Sequence, residues 1–205
     1  MIKTILFDMD GVLIDAREWH YESLNRALDL FGMAIDYDTH LAAYDGLPTR
    51  KKLQMLTKSR GLPVGLHDFL NARKQRFTSA LVHARCRPVY QHRRALSRLK
   101  QEGYRLAVCS NSIRSTVELM MDMAQLRPYL DLLLSNEDVA VGKPDPAIYS
   151  KAIAHFGVAP EEALILEDND HGIQAARASG AHVLVVGSPD DVSYSRIRNA
   201  LDTIA

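Results

Sequence analysis

The chain is poor in the features that announce many functions. It holds two cysteines, Cys86 and Cys109, with none of the spacing of a disulfide framework or a metal cluster. No apolar run approaches the roughly 18 residues of a membrane span, so no membrane partner is expected. No basic-then-apolar leader precedes the first strand-like run. These absences together suit a reducing cytoplasm. The G-x-x-x-x-G-K-[ST] phosphate loop is missing too, which argues against a nucleoside triphosphatase of that type. Repeats and low-complexity tracts are also missing. Aromatic residues make up only 7% of the chain. The basic residues are scattered with no aromatic interleaving, so nucleic acid is not an expected partner.

What is present is unevenly charged. Lys plus Arg and Asp plus Glu both number 25, for a net charge of zero. Residues 16–100 hold 16 basic and 7 acidic residues, about +9, and the remainder is about −9. An acidic core beside a basic segment suggests a metal on one side and an anionic substrate on the other. The 205 residues suit one compact domain, or a core with a smaller insertion.

Hydrophobic periodicity gives the organisation. Ile5-Leu6-Phe7 reads as a buried strand. Helical spacing covers 17–31, ended by Gly32 and with Asp15 as its expected cap. It continues around 41–44, 49–59 and 67–82, with no strand pattern between. Strands and helices then alternate: strand 105–109, helix 113–124, strand 132–134, helix 146–156, strand 163–166, helix 172–179, strand 182–186. Helix 89–100 precedes the series and a short helix from Ser193 closes it. This alternation predicts an α/β fold, a Rossmann-like doubly wound parallel sheet. Residues 1–15 and 85–205 form its core, and 16–84 an inserted helical domain.

The chemistry sits at the strand ends, where ligands of such sheets bind. Asp8 and Asp10 close the first strand, and Gly11 allows the turn after them. Two acids this close need a divalent cation or a shared proton. One could attack phosphorus and the other could move a proton; a solvated acidic loop is the plainer alternative. Ser110 and Asn111 end the second strand, at a helix start that favours anions, although simple capping is the commoner use of such residues. Gly142-Lys143-Pro144-Asp145-Pro146 frames one lysine rigidly. Glu167 and Asp168 end the fourth strand and, with Asp8 and Asp10, offer hard oxygens to Mg²⁺. His171 reads as a helix-start residue. No base pattern accompanies Ser110 that would make it a hydrolase nucleophile.

Asp8-Met9-Asp10-Gly11-Val12-Leu13-Ile14-Asp15, Ser110, Lys143 in its Gly-Pro frame and Glu167-Asp168 resemble, in order, the four motifs of the haloacid dehalogenase-like hydrolases. More narrowly they resemble the β-phosphoglucomutase-like branch, with its small sugar-phosphate phosphatases. The resemblance implies Asp8 as nucleophile, Asp10 as acid and base, and Ser110, Asn111 and Lys143 on the phosphoryl group. It implies Mg²⁺ on the Asp8 and Asp168 side chains and the Asp10 carbonyl, with Glu167 direct or through water. Asn169 departs from the usual serine of the fourth motif, which touches only a supporting hydrogen bond. The insertion would be a substrate-selecting cap, with contacts from His20, Gly46 and Arg50; at most one of Lys51 and Lys52, neighbours of opposite orientation on a helix, should face the site. Mutases of the branch have lysine before the loop glycine and arginine three residues after it, whereas Asp45 and Thr49 stand here. A monomeric phosphatase acting on a small phosphorylated metabolite, a sugar or polyol phosphate, is therefore expected. A sugar-phosphate mutase is the alternative. A dehalogenase, which lacks the second acid, and a catalytically retired binding protein are poorer fits.

Overall fold

The computed structural model describes residues 1–204. Five strands form one parallel sheet: β1 (Thr4–Phe7), β2 (Arg105–Cys109), β3 (Leu132–Leu134), β4 (Ala163–Glu167) and β5 (His182–Val185). Their order is β3-β2-β1-β4-β5, the doubly wound arrangement that the alternation implies. β1 lies at the centre, with Phe7 in register with Val108 and Leu166. The strand ends that carry Asp8, Ser110 and Asp168 therefore lie side by side.

The helices are α1 (Arg17–Leu28), α2 (Tyr37–Ala43), α3 (Thr49–Arg60), α4 (His67–Arg85), α5 (Tyr90–Gln101), α6 (Arg114–Met123), α7 (Ala147–Phe156), α8 (Asp170–Ala178) and α9 (Tyr194–Ile204). Leu6, Ala107, Cys109 and Ile165 face α7 and α8, against Ile148, Tyr149, Ala152, Phe156, Ala175 and Ala176. The alternate residues Ile5, Phe7, Leu106, Val108, Leu164 and Leu166 are equally buried. Both faces of the sheet are thus covered, as a parallel sheet requires.

The chain divides into two compact units: residues 1–15 with the chain from 87 on, and residues 16–86. The division falls two residues later than the sequence pattern suggests, because α4 continues through Arg85. The second unit is wholly helical, with Leu24, Leu28, Leu53, Leu56, Leu62 and Leu70 at its centre. Asp15 does not cap α1: Ala16 holds the N-cap position with no side-chain hydrogen bond. Asp15 sits one residue too early for its carboxylate to meet the free amides of the first turn.

Candidate active site

Asp8 follows β1 directly, and its N–H donates to Leu166 O. Asp8 as a whole is 4% exposed. Lys143, brought over by the loop before α7, donates from Nζ to Asp8 Oδ1 at 2.5 Å and to Glu167 Oε1 at 2.6 Å. Asn111 fixes that loop: its Oδ1 accepts from Lys143 N and its Nδ2 donates to Lys143 O. The Asn111 side chain is thus engaged with the lysine backbone. Ser110, 1% exposed, accepts the Ser112 N–H at its Oγ. The Ser112 hydroxyl in turn donates to Asp10 Oδ2 at 3.1 Å.

Asp8, Glu167 and Asp168 each bring a carboxylate oxygen within 4.8 Å of the others. Two glycines make room for this cluster. A Cβ on Gly11, whose φ is +90°, would lie 2.0 Å from Asp168 Oδ2. A Cβ on Gly172 would lie 1.9 Å from Glu167 Oε1. Asn169 caps α8 by accepting the Gly172 N–H, and its Nδ2 donates to Asp168 Oδ1 at 3.3 Å. The residue at the serine position thus supports Asp168.

Burial pushes the Asp8 carboxyl well above its ordinary range; Lys143 opposes this, and Glu167, Asp10 and Asp168 add to it. Lys143 is pulled down by burial, but Asp8 and Glu167 overcome that and hold it above its usual value, as an ammonium. One ammonium therefore faces a surplus of converging acids. A hard divalent cation fits this donor set of three clustered carboxylates. Burial also pushes the Cys109 thiol up to about 12, which leaves it inert at neutral pH.

The family model for haloacid dehalogenase-like hydrolases matches residues 5–186. The chain belongs to that family. Among relatives of this hydrolase, a phosphorylated carbohydrates phosphatase of Thermotoga maritima is 28% identical over 182 residues, spanning 87% of this chain and 82% of the relative. A phosphoglycolate phosphatase of Aquifex aeolicus is 29% identical over 179 residues, with the same coverage of each chain. A mutant CbbY from Rhodobacter sphaeroides, solved with xylulose-(1,5)-bisphosphate, superposes with a TM-score of 0.82 at 25% identity, covering 90% of this chain and 86% of that one.

In the helical unit of this hydrolase, His20 lies on α1 with Nδ1 3.2 Å from Lys74 Nζ. Gly46 sits in the turn before α3, and Arg50 is exposed in the first turn of that helix. Lys51 is exposed, whereas Lys52 is buried. Asp45 pairs with Arg17 Nε at 3.2 Å. Burial drives His40 down to about 3, helped by Lys52, His20 and Lys74. Basic side chains thus gather inside this unit.

The contacts made by Lys74, Ser112 and Tyr149 are not evident from the sequence. Lys74 stands in the polar run Asn71 to Arg76, which reads as a solvated helix face. Ser112 reads as a helix cap. Tyr149 reads as plain core, yet its hydroxyl donates to Glu167 Oε1 at 2.5 Å. Its only sequence signal is its position six residues after Lys143.

Proposed function

We propose that this hydrolase is a Mg²⁺-dependent phosphoric monoester hydrolase that works through an aspartyl-phosphate on Asp8, with a small sugar or polyol phosphate as substrate. The observation that carries the reading is the buried Lys143 ammonium bridging Asp8 Oδ1 and Glu167 Oε1 beside the clustered carboxylates.

Asp8, Glu167 and Asp168 side chains, with the Asp10 carbonyl, would hold the cation. Bound there, Mg²⁺ supplies charge neutralisation for the phosphoryl oxygens and lets the carboxylates stay ionised together. A free Asp8 oxygen attacks phosphorus, and the bond from phosphorus to the ester oxygen breaks. Asp10 gives its proton to the departing alkoxide. Asp10 then takes a proton from water, which attacks the phosphorus of the acyl phosphate and returns Asp8 and inorganic phosphate. Ser110 and the amides at the start of the following segment receive phosphoryl oxygens, with Lys143 beside them. Asn111 serves this chemistry by holding Lys143.

The helical unit, residues 16–86, holds 11 Lys/Arg against 7 Asp/Glu, a surplus of basic charge that supports an anionic substrate. We assign choice of the leaving group to that unit, through His20, Gly46, Arg50, Lys52 and Lys74. Asp45, held by Arg17 where mutases of the branch carry lysine, favours hydrolysis over return of the phosphoryl group to a sugar. The test is phosphate release from a panel of sugar, polyol and nucleotide monophosphates with Mg²⁺ and with EDTA. Release that needs Mg²⁺ supports the reading. Sugar isomerisation without free phosphate would replace it with the mutase.

A further inference from the structure

Tyr149 lies fully buried on the core face of α7, beside Ile148, Ala152, Ile153 and Phe156. Phenylalanine would fill the same space and carry no hydroxyl to satisfy. The hydroxyl found here donates to Glu167 Oε1 at 2.5 Å. That same oxygen accepts Lys143 Nζ at 2.6 Å. Glu167 Oε2 accepts the Asp168 N–H at 3.1 Å. The Tyr149 ring also carries the Lys143 ammonium, whose Nζ lies 4.7 Å from the ring centroid. On the remaining side, Gly172 leaves no space between its own backbone and the Glu167 carboxylate. Glu167 is therefore held from several directions, and Tyr149 supplies one of the two donors on Oε1.

We propose that Tyr149 is a positioning residue of the metal site, which locks Glu167 Oε1 jointly with Lys143 so that Glu167 meets the cation in one fixed orientation. The inference rests on the metal-dependent reading above. It needs no contact between Tyr149 and substrate. Partners in the outer shell of a metal site orient its ligands, and losing one commonly weakens metal affinity by tenfold or more. Tyr149→Phe keeps the ring, its packing and its contact with Lys143, and removes only the hydrogen bond to Glu167.

The test is calorimetric titration of Mg²⁺ into EDTA-stripped protein, for wild type, Tyr149→Phe and Phe156→Leu. Phe156 shares the α7 core face about two helical turns from Tyr149, so its variant reports loss of core packing. The expected result is a Mg²⁺ Kd raised about tenfold in Tyr149→Phe and unchanged in Phe156→Leu, although Phe156→Leu lowers the melting temperature. At saturating Mg²⁺, kcat of Tyr149→Phe should return toward wild type. An unchanged Kd in Tyr149→Phe, or an equal rise in Phe156→Leu, would overturn the inference. The titration needs no substrate. Wild type that fails to bind Mg²⁺ would instead overturn the metal-dependent reading itself.

Discussion

Lys143 Nζ stands 2.5 Å from Asp8 Oδ1, and both side chains are almost wholly removed from solvent. An ion pair of this kind is costly to bury but far costlier to break. Removing one partner leaves the other buried and uncompensated, at about 3–5 kcal/mol. Lys143→Ala should therefore lower the melting temperature in EDTA and reduce kcat by roughly 10²–10³-fold. Lys143→Arg should not rescue it, because a planar guanidinium does not fit a pocket shaped for an ammonium. Thermal melts and steady-state kinetics check both statements.

The raised pKa of Asp8 fixes a pH dependence. A carboxyl whose folded value lies above its unfolded one adds stability at low pH and loses it as pH rises through the folded value. The contribution of Asp8 to the metal-free protein thus falls as pH climbs from its ordinary value of 3.8. Mg²⁺ competes with the proton for the same oxygens. The rise in melting temperature on adding Mg²⁺ should be small near about pH 5 and larger near about pH 8. A Mg²⁺ effect that is flat across this range would count against competition between Mg²⁺ and the proton at Asp8.

His40 has the opposite sign. Its folded value of about 3 lies below its ordinary 6.5, so its neutral form is favoured in the fold. Its contribution is complete above 6.5 and is lost as pH falls from there toward 3. His40→Phe should flatten the acid side of the curve of melting temperature against pH. Scanning calorimetry of both proteins checks this.

Much of the centre could be read from the chain alone because its cues are local. Ile5-Leu6-Phe7 and the acids that follow are contiguous, and prolines and a glycine frame Lys143 within five residues. What could not be read depends on tertiary approach. Lys52 and Lys51 are neighbours in sequence, and only packing decides that Lys52 turns inward. Lys74 looks like part of a solvated face until α4 is packed against α1. The Tyr149 hydroxyl has meaning only once α7 lies beside the end of β4. Asp15 shows the reverse failure: a good capping residue stands next to a helix start but one position too early.

Gly172 sets helix propensity against space. Alanine in a helix gains about 1 kcal/mol over glycine. Here its Cβ would sit 1.9 Å from Glu167 Oε1, and Glu167 is tethered by Tyr149 and Lys143. Overpacking of this kind costs about 1–3 kcal/mol, so the clash wins. Gly172→Ala should lower the melting temperature and weaken Mg²⁺ binding, both measurable by thermal shift.

Ser112 donates to Asp10 Oδ2 and orients the group assigned to proton transfer. Ser112→Ala removes one hydrogen bond to a carboxylate, of order 1 kcal/mol. It should lower kcat roughly threefold to tenfold with little change in KM. An equal change in KM would point to a substrate contact instead.

The proposed mechanism turns on covalent transfer of the phosphoryl group to Asp8. The most direct measurement is rapid-quench mass spectrometry of the protein during turnover of its best phosphate ester with Mg²⁺. The expected result is a species heavier by one phosphoryl group, located on the peptide that contains Asp8, and absent from Asp8→Asn. Phosphate release at the wild-type rate by Asp8→Asn, or a phosphoryl group on any other residue, would contradict it.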